Sequence, residues 1–440
     1  MSREVKVSQS GPIENVDNLL EIFINGAREP KNFLVGLETE KIGVYKDTLQ
    51  AIPYLGDKGI EIILKTIADQ DHWKKIYDQE HLIALEKDGQ AITLEPGGQF
   101  ELSGSAHQSV ADVAHELGQH LKLLCRISTP LDIAWLGIGI QPVSTIDQIS
   151  WVPKSRYKIM KAYFERVSPG GLEMMKLTAS SQVNLDYSSE EDAAKKIRVG
   201  SVFGVLASAL TANSAIEQGQ KNGFCSRRLK VWQKTDKQRC GIPKFFVDGS
   251  FSFEQYRDYA QDIPMYFLYR NGAYQDATHQ TFAQALKSGQ VLTQSDWESH
   301  LTTLFPDVRL KNHLEFRTAD ASSKKLSIAI TAFWMALLYN KSLLEEAHSF
   351  SKKVSLETLY TSIDDVALKG MQASLGKIKI LDWANEYINH CMLAMDKVLY
   401  NEGMSDYLFP LREIADKGKS PAEQLLADWP TCLKTLCEKE

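Results

Sequence analysis

Residues 33–45 read FLVGLETEKIGVY, and apolar and polar side chains alternate along this stretch. A period of two is typical of a half-buried β-strand, so we expect a strand here. Glu38 and Glu40 stand two positions apart and therefore project from the same face of that strand. Two carboxylates on one face repel each other unless a cation or water lies between them. The stretch therefore predicts a strand with two carboxylates on one face, where they lie beside a cation or are exposed to water.

Polar residues at the same spacing occur in three further extended stretches. LEPGGQFEL, at residues 94–102, bends at Pro-Gly-Gly before it resumes extended structure, and LEFR occupies residues 314–317. The polar positions are Glu95, Gln99 and Glu101 in the first stretch, Glu315 and Arg317 in the second, and Gln182, Asn184 and Asp186 in the third. Mg²⁺ prefers carboxylate and phosphate oxygens, so a sheet face with several glutamates could hold Mg²⁺ ions against the triphosphate of a nucleotide. For each pair taken alone, a solvated outer face of the sheet is the alternative.

The rest of the pattern mixes strands and helices without a regular strand–helix–strand rhythm. Strands are expected at 82–86, 90–94, 99–103, 179–187 and 313–318, with a hairpin turn at 87–89, and helices at 107–127, 156–166, 190–208 and 323–348. From residue 355 onward the chain is largely helical. This pattern predicts an α+β fold, in which helices pack on an antiparallel sheet. We expect a single catalytic domain over 1–440, with a core of about 30–345 and a helical C-terminal portion of about 350–440.

Composition narrows the class of protein. The chain has 440 residues, 43% of them hydrophobic, and a net charge of −6, which gives no overall attraction to nucleic acid. The first residues resemble neither a signal peptide nor a transit peptide. The longest apolar stretch, 326–339, is shorter than the roughly 20 residues that a membrane helix needs. Six scattered cysteines without a CxxC pair are typical of reduced thiols, so we expect a cytoplasmic protein.

Three familiar motifs are absent or incomplete. No GxxxxGK[ST] sequence occurs, which excludes a P-loop as the nucleotide site. Gly137-Ile138-Gly139 lacks the third glycine of a dinucleotide fingerprint and is typical of a strand or turn. His115 and His120 are one residue further apart than the histidines of a zinc-protease helix. Their side chains therefore diverge by about 140°, and we expect a solvated helix face.

Longer words of the sequence resemble the plant/proteobacterial class of glutamate–cysteine ligases. They are GLETEKIGV at 36–44, ITLEPGGQFELSG at 92–104, LGIGIQP at 136–142, PKSRYKIM at 153–160, QVNLDY at 182–187, NGFCSRRLKVW at 222–232, TDKQRCG at 235–241, FSFEQYRDYAQDIPMYF at 251–267 and DWESHLTTLFPDVRLKNHLEFRTAD at 296–320. The resemblance covers about residues 33–340 in order, and the segment beyond about 350 matches only loosely.

The resemblance implies a glutamine-synthetase-like catalytic cradle, an antiparallel sheet bent around the site. It also implies an ATP- and Mg²⁺-dependent reaction, the first step of glutathione biosynthesis. ATP would phosphorylate the γ-carboxylate of glutamate, and the amino group of cysteine would displace phosphate from γ-glutamyl phosphate. A carboxylate becomes a good acyl donor only after such activation, and phosphoryl transfer depends on positioning and charge neutralisation. The expected partners are these small molecules, with no nucleic acid and no membrane, and the chain is expected to be a monomer or a homodimer.

Two alternatives stay open. The same activating machinery would serve a ligase that joins glutamate to a different amine, because the residues that recognise the amine are the least legible in the sequence. A non-catalytic protein that binds glutamate or a nucleotide would be expected to lose carboxylates, yet every acidic position named above is present.

The resemblance also implies roles for individual residues. The expected Mg²⁺ ligands are Glu38, Glu40, Glu95, Glu101 and Glu315, with Gln99 beside them. The expected contacts of the substrates are Arg156 and Arg228 with the α-carboxylate of glutamate, where Arg227 is the alternative to Arg228, and Tyr266. The expected phosphate contacts are Arg317, Arg239 and Lys154. The competing interpretation for each residue is a structural carboxylate, a structural ion pair or plain core packing.

Cysteine usage differs from that of the plant members, whose cysteine pairs serve redox control. No such pair is matched here, so no regulatory disulfide is expected. Cys225 and Cys240 flank the expected site, either as oxidant-sensitive thiols or as ordinary packing residues. At 225–227 the plant members carry small or apolar residues, so the site is expected to differ there in detail.

Overall fold

The computed structural model describes residues 11–168, 170–398 and 404–429. Within them the strands are β1 (Val35–Tyr45), β2 (Lys74–Asp78), β3 (His81–Lys87), β4 (Gln90–Leu94), β5 (Phe100–Ser103), β6 (Ile133–Leu136), β7 (Ser180–Leu185), β8 (Ile216–Glu217), β9 (Gln220–Lys221), β10 (Cys240–Gly241), β11 (Phe267–Arg270), β12 (Ala273–Asp276), β13 (Phe305–Pro306), β14 (Val308–Leu310), β15 (Leu314–Asp320), β16 (Ser374–Leu375) and β17 (Ile378–Lys379).

The α-helices of the same residues are α1 (Glu21–Ile24), α2 (Ile60–Asp71), α3 (Val110–Ser128), α4 (Ser155–Val167), α5 (Gly170–Leu177), α6 (Glu190–Thr211), α7 (Arg227–Gln233), α8 (Phe253–Gln261), α9 (Phe282–Lys287), α10 (Gln294–Thr302), α11 (Lys324–Tyr339), α12 (Lys341–Ser351), α13 (Leu356–Lys369), α14 (Ile380–Val398), α15 (Phe409–Lys417) and α16 (Pro421–Ala427). Short 3₁₀ turns occupy Val16–Leu20, Pro30–Asn32, Thr129–Leu131, Lys244–Phe246, Gly370–Gln372 and Met404–Leu408.

Strand β1 is the centre of the main sheet, which has antiparallel strands in the order β14-β15-β7-β1-β5-β4-β3-β2, with β6 joined to β1. The first residues of β1, Val35 to Thr39, pair with β7, and the last residues, Ile42 to Tyr45, pair with β6. The middle of β1 pairs with β5 on its other edge. Because β1 changes partner along its length, the sheet bends there and forms a cradle.

The two faces of the sheet differ in polarity. One face packs apolar side chains, among them Leu37, Val183 and Phe316, in one core with α3, α6 and α11. Gly200 of α6 lies so close to the Phe316 ring that an added Cβ would stand 2.4 Å from it, so this approach of helix to sheet requires glycine. The other face, called the polar face below, carries the acidic and amide side chains of β1, β5, β7 and β15.

The predicted α+β fold with a bent antiparallel sheet is confirmed. Each strand predicted from its period is present, and the β3–β4 turn has Asp88 and Gly89 at φ 47° and 82°, as a type I′ turn requires. The helix predicted at 323–348 is instead two helices, α11 and α12, which meet at 89°. The Asn340 side chain causes the break, because it accepts the Leu343 N–H and starts the second helix.

The prediction that His115 and His120 lie on a solvated helix face is right for His115 and wrong for His120. His115 is exposed, but His120 is buried and stacks on the Phe100 ring beneath the sheet. Burial lowers the pKa of His120 to about 4, so it stays neutral at physiological pH. It is a core histidine.

The C-terminal helices pack on the helical layer of the core. α13 contacts α6 and α7, and α14 and α15 contact α11. Among the described helices, none alone has the length and apolarity needed to cross a membrane; α11 and α12 reach them only together, across their sharp bend.

Candidate active site

Four of the predicted glutamates meet on the polar face of the main sheet. Glu40 of β1 stands directly opposite Glu101 of β5, and Glu38 stands opposite Gln182 of β7. Glu315 lies on β15, the next strand beyond β7. Opposed residues of an antiparallel pair have Cβ atoms about 4.5–5.5 Å apart, so Glu40 and Glu101 are close neighbours.

Glu40 is buried and held by donors from β7. Its carboxylate accepts hydrogen bonds from the Ser180 N–H at 2.8 Å, the Ser180 hydroxyl at 3.2 Å and Gln182 Nε2 at 3.4 Å. Burial and the charge of Glu95 raise the pKa of Glu40 to about 7, although Arg228 opposes the shift. Glu40 therefore ionises only near neutral pH unless a cation stabilises it.

Glu101 is fully buried and only half satisfied. Its Oε1 accepts a hydrogen bond from the Ser103 hydroxyl at 2.9 Å, whereas Oε2 is buried without a hydrogen-bond partner. Burial, together with the charges of Glu38 and Glu95, raises the pKa of Glu101 well above its usual range. A buried carboxylate oxygen that no protein donor satisfies is suited to bind a cation.

Glu315 has the opposite environment. Arg309 donates two hydrogen bonds to its carboxylate, from Nη2 to Oε1 at 2.6 Å and from Nε to Oε2 at 3.1 Å. Lys311 Nζ lies 2.9 Å from Oε2, and Arg317 Nη1 contacts both Oε1 and the Gln182 side chain. Burial alone would raise the pKa of Glu315, but these three cations outweigh it and hold the pKa well below its usual range. Glu315 therefore orients Arg317 on the polar face.

The Pro-Gly-Gly turn between β4 and β5 carries Glu95 and Gln99. The Gln99 Oε1 accepts the Gly97 N–H at 3.0 Å, and its Nε2 donates to the carbonyls of Met175 and Thr178 at 3.3 and 2.7 Å. Both ends of the Gln99 amide are therefore engaged by backbone. Gln99 fixes the turn that carries Glu95, and this occupation argues against a metal-ligand role for Gln99 itself.

The acidic side chains of the polar face offer donors that suit a metal ion. Among the described residues, no three acidic, histidine or cysteine side chains converge closely enough to hold a metal ion as they stand, because the carboxylates turn toward serine, amide and arginine partners. The donor set nevertheless fits a hard divalent cation. It offers carboxylate oxygens, one of them unpartnered on Glu101, and a cation would relieve the repulsion that raises the pKa of Glu40 and Glu101.

Arg228 lies in the first turn of α7 and beside β15. Its Nη2 donates to the Arg317 carbonyl at 3.0 Å, and its Nη1 lies 3.8 Å from the Asp320 carboxylate. Its Nε is buried and has no hydrogen-bond partner. Arg227, the alternative from the sequence, points elsewhere and pairs with Glu217 and Glu173. Arg228 is therefore the arginine that offers a donor to an anionic ligand.

Lys154 and Arg156 stand at the start of α4, and both are buried. Each cation lies 5.6 Å from the centre of the Tyr157 ring. The Tyr157 hydroxyl donates to the Leu94 carbonyl at 2.8 Å. Since Leu94 is the last residue of β4, this bond fixes the start of α4 next to the turn that carries Glu95.

Arg239 and Tyr266 form a buried stack. Arg239 donates to Asp236 Oδ2 at 2.9 Å, to the carbonyls of Pro264 and Thr303, and to the Tyr163 hydroxyl. Its guanidinium lies 4.0 Å from the centre of the Tyr266 ring. Every nitrogen of Arg239 is thus occupied, which argues against the expected phosphate contact.

Tyr266 differs from Arg239 in that its hydroxyl is buried without a hydrogen-bond partner. Burial raises the pKa of Tyr266 well above its usual range, so the hydroxyl is a neutral donor. A buried hydroxyl without a partner remains compatible with the expected contact to a substrate.

Two cavities border these residues. The arginine cavity, about 420 Å³, is lined by residues that include Arg228, Trp232, Cys240, Phe305, Asp307 and Arg317. The strand-end cavity, about 580 Å³, is lined by residues that include Arg28, Glu38, Asn184, Arg309, Lys311 and His313. The arginine cavity therefore reaches the polar face at Arg317, and the strand-end cavity reaches it at Glu38 and Asn184.

Sequence reasoning missed several residues of this site, among them Ser180, Arg309, Lys311 and Asp320. Arg309 and Lys311 do carry a signal, because they alternate with apolar residues in VRLK just before Glu315. Ser180 has no such signal, since its role depends on the register between β1 and β7.

The family model described as glutamate–cysteine ligase family 2 matches residues 34–438. The chloroplastic glutamate–cysteine ligase B of Oryza sativa subsp. japonica is 36% identical over an alignment of 429 residues that covers 96% of this chain and 85% of that protein. The chloroplastic glutamate–cysteine ligase of Arabidopsis thaliana is 36% identical over an alignment of 428 residues that covers 93% of this chain and 79% of that protein. Both matches extend over most of the chain, beyond the range in which the motifs were recognised.

A solved structure is also similar. The glutamate–cysteine ligase of Francisella tularensis in complex with AMP superposes with a TM-score of 0.53 at 14% identity, over 94% of this chain and 89% of that one. At this identity the likeness shows the fold alone.

The expected cytoplasmic location is overturned by the comparisons. The curated relatives from Oryza sativa, Brassica juncea and Arabidopsis thaliana are named as chloroplastic enzymes. The error has a plain reason: scattered cysteines indicate reducing surroundings, and the cytoplasm is only one compartment of that kind.

Proposed function

The chain belongs to glutamate–cysteine ligase family 2, and on that premise we propose how its polar face carries out the reaction. The chain is a glutamate–cysteine ligase, which joins the γ-carboxylate of L-glutamate to the amino group of L-cysteine in the first step of glutathione biosynthesis. A γ-carboxylate oxygen attacks the γ-phosphorus of ATP, and the bond from that phosphorus to ADP breaks. The cysteine amine, after losing its proton to water, attacks the acyl carbon of γ-glutamyl phosphate, and phosphate leaves.

We assign the metal-binding role to Glu38, Glu40, Glu95 and Glu101, with one Mg²⁺ or more. When bound, Mg²⁺ would neutralise the charge of the ATP phosphates. Support comes from the burial of Glu40, Glu95 and Glu101, the unpartnered Oε2 of Glu101 and the raised pKa of Glu40 and Glu101. Glu315, also expected to bind metal, is assigned chiefly to orienting Arg317, because three cations already neutralise it.

Arg228 and Arg156 are assigned to bind the α-carboxylate of the substrate glutamate, because their planar guanidinium groups suit a carboxylate. The buried, unpartnered Nε of Arg228 is the observation that supports this role. Arg317 is assigned to the transferred phosphoryl group, since it stands on β15 between the arginine cavity and Glu315. With the α-carboxylate of the substrate bound at one end and the phosphoryl group held at the other, the γ-carboxylate lies in line with the γ-phosphorus of ATP.

The remaining expected residues receive narrower roles. Lys154 keeps its assignment as a phosphate contact beside Arg156, and Tyr266 keeps its assignment as a substrate contact through its hydroxyl. Gln99 holds the turn that carries Glu95. Arg239 supports the Tyr266 ring from behind, because its own donors are taken by protein groups. We assign these roles within one catalytic domain over residues 1–440.

The test is ADP release by the purified protein with ATP, Mg²⁺ and glutamate, with cysteine compared against a panel of other amines. The proposal expects release that is strongest with cysteine and a product of the mass of γ-glutamylcysteine. Omission of Mg²⁺ is expected to abolish release, and sedimentation in the same buffer distinguishes a monomer from a homodimer. Release with a different amine would keep the activation step and replace the second substrate, whereas folded protein that releases no ADP would contradict the proposal.

A further inference from the structure

Asp320 is a buried carboxylate that the reaction as described does not use. It is the last residue of β15 and is 1% exposed. Its Oδ2 accepts the Asn213 N–H at 2.9 Å and the Ser214 hydroxyl at 2.7 Å, and its Oδ1 accepts the Ser226 hydroxyl at 3.0 Å. Three protein donors therefore converge on one aspartate at the end of the strand.

Two of the three donors on Asp320, the hydroxyls of Ser214 and Ser226, also bind the first turn of α7. The Ser226 hydroxyl also caps α7, because it accepts the Leu229 N–H at 3.3 Å. The Ser214 hydroxyl accepts the Arg228 N–H at 3.1 Å. Both serines are thus bound to Asp320 on one side and to the first turn of α7 on the other.

Asp320 also faces the Arg228 side chain directly, with Oδ1 3.8 Å from Nη1. The guanidinium is therefore fixed by the Asp320 carboxylate and by the backbone carbonyls of Arg317 and Thr318, which belong to the same strand. This arrangement leaves the buried Nε as the donor without a protein partner. A guanidinium held on several sides loses little further freedom when it binds an anion, and this pre-organisation favours binding.

We propose that Asp320 is a positioning residue for glutamate binding, which locks the start of α7 and the Arg228 guanidinium to the strand that carries Arg317. The inference rests on the proposed role of Arg228 toward the α-carboxylate of glutamate. It adds a reason for the strand–helix junction: one strand, β15, sets the distance between the cation at the α-carboxylate and the cation at the phosphoryl group. Asp320 touches neither substrate and acts through Arg228.

The test compares steady-state kinetics of Asp320→Asn, Arg228→Lys and the double variant with those of the unmodified enzyme. Asp320→Asn is expected to raise KM for glutamate about tenfold or more and to change kcat and KM for ATP less than about threefold. Arg228→Lys is expected to raise KM for glutamate further, because Lys lacks the planar fork. In the double variant the effect of Asp320→Asn is expected to vanish, since it acts through Arg228.

Two further variants keep the result interpretable. Asp192→Asn is the matched control, because Asp192 also accepts hydrogen bonds from a backbone N–H and a serine hydroxyl and pairs with a buried cation, Lys196, at the other end of α6. It is expected to leave KM for glutamate unchanged. Ser214→Ala keeps the Asp320 carboxylate but removes the hydroxyl that joins it to the Arg228 N–H, so it is expected to shift KM for glutamate in the same direction even where Asp320→Asn folds poorly.

The outcomes separate the two proposals. If Arg228→Lys raises KM for glutamate but neither Asp320→Asn nor Ser214→Ala does, the positioning role is overturned and the role of Arg228 stands. The same holds if these variants lower kcat and raise every KM alike, or if their effects persist in full beside Arg228→Lys. If Arg228→Lys itself leaves KM for glutamate unchanged, the proposed contact with glutamate fails, and the role of Asp320 fails with it.

Discussion

Glu101 and Glu315 lie on the same polar face and are both fully buried, yet their electrostatic environments are opposite. Glu101 has an oxygen without a donor and carboxylate neighbours, whereas Glu315 is clamped by Arg309 and two further cations. The same substitution, Glu to Gln, must therefore have different consequences at the two positions.

Glu101→Gln is expected to lower kcat by at least about 100-fold, because it removes a charge that is proposed to bind Mg²⁺ at the phosphates. The free energy of unfolding is expected to stay equal or to rise, because the neutral amide ends the repulsion from Glu38 and Glu95. Steady-state kinetics over a range of Mg²⁺ concentrations measure the change in kcat, and urea unfolding measures the change in the free energy of unfolding. A variant with full activity at the usual Mg²⁺ concentration would contradict the metal assignment.

Glu315→Gln is the informative contrast. It leaves the buried Arg309 and the half-buried Lys311 beside a neutral group, and the loss of one partner from a buried ion pair costs about 3–5 kcal/mol. We expect a lower free energy of unfolding together with lost activity. Loss of activity in this variant is therefore weaker support for a catalytic role than the same loss in Glu101→Gln.

Asp307 gives the stability of the protein a pH dependence. Burial raises the pKa of Asp307 to about 6, although Arg228 and Arg317 oppose the shift. An unfolded aspartate ionises near pH 4, so between about pH 4 and 6 the folded chain holds a proton that the unfolded chain has released. The contribution of Asp307 to the free energy of unfolding therefore falls as the pH rises through this window.

Asp307→Asn is expected to remove this contribution. At pH 7.5 the variant should be more stable than the unmodified protein by roughly 1–2 kcal/mol, a value reduced from the full shift because the residue is partly exposed. At pH 4 the difference should be lost. Thermal unfolding at both pH values measures it, and a difference of the same size at both would rule out this origin.

At the residue scale, the sequence predicts which face a side chain occupies but not which hydrogen-bond partners it finds there. The strand period placed Glu38, Glu40 and Glu101 on one face, and the register brings them together. It could not foresee that the Gln99 amide is used by backbone or that Arg239 is fully paired, since both depend on carbonyl groups that come from elsewhere in the fold.

At the scale of elements, the Pro-Gly-Gly turn between β4 and β5 is a rigid support for the site. An added Cβ on Gly97 would stand 2.2 Å from the Lys176 carbonyl oxygen, a contact that the backbone cannot absorb. Gly97→Ala is expected to shift the turn that carries Glu95 and to lower kcat/KM by about tenfold or more. Its cost in the free energy of unfolding is expected to be about 1–3 kcal/mol.

Gly219→Ala, in the β8–β9 turn, is the matched control for Gly97→Ala. Gly219 has φ 74° and open space around the Cβ position, so alanine there costs about 1 kcal/mol of backbone strain without a collision. Its kcat/KM is expected to stay unchanged. If the two variants lose activity equally, a general loss of stability explains both, and the special role of the β4–β5 turn is refuted.

Elements with a strong local signal were predictable, and those that depend on long-range contacts were not. The β3–β4 hairpin was predicted because Asp-Gly favours the left-handed conformations that its turn adopts. The break between α11 and α12 was missed because the apolar period runs through Asn340. β6 is four residues long and buried, so no alternation marks it.

At the scale of the whole molecule, the C-terminal portion reaches back to the start of α7. The Cys225 and Ser226 N–H groups both donate to the Ala367 carbonyl, at 2.9 and 3.0 Å, and the Ala422 N–H donates to the Ala212 carbonyl at 2.9 Å. These contacts join residues 367–371 and 420–423, called the C-terminal clasp here, to the segment that precedes Arg228. A role for the helical C-terminal portion follows: it closes the outer side of the segment whose inner side binds Asp320.

Glu423 is the residue that holds the C-terminal clasp together, because its Oε2 accepts the N–H groups of Met371 and Ser420 at 3.2 and 2.9 Å. Glu423→Ala leaves both donors unsatisfied and is expected to lower the free energy of unfolding by about 1–3 kcal/mol. With the clasp loosened, KM for glutamate is expected to rise about threefold while KM for ATP stays unchanged.

Glu413→Ala, at an exposed position of α15, is the matched control. It is expected to alter the free energy of unfolding by less than about 0.5 kcal/mol and to leave both KM values unchanged. If Glu423→Ala destabilises the protein but leaves KM for glutamate unchanged, the clasp supports the fold alone, and the conformation of Arg228 is independent of the C-terminal portion.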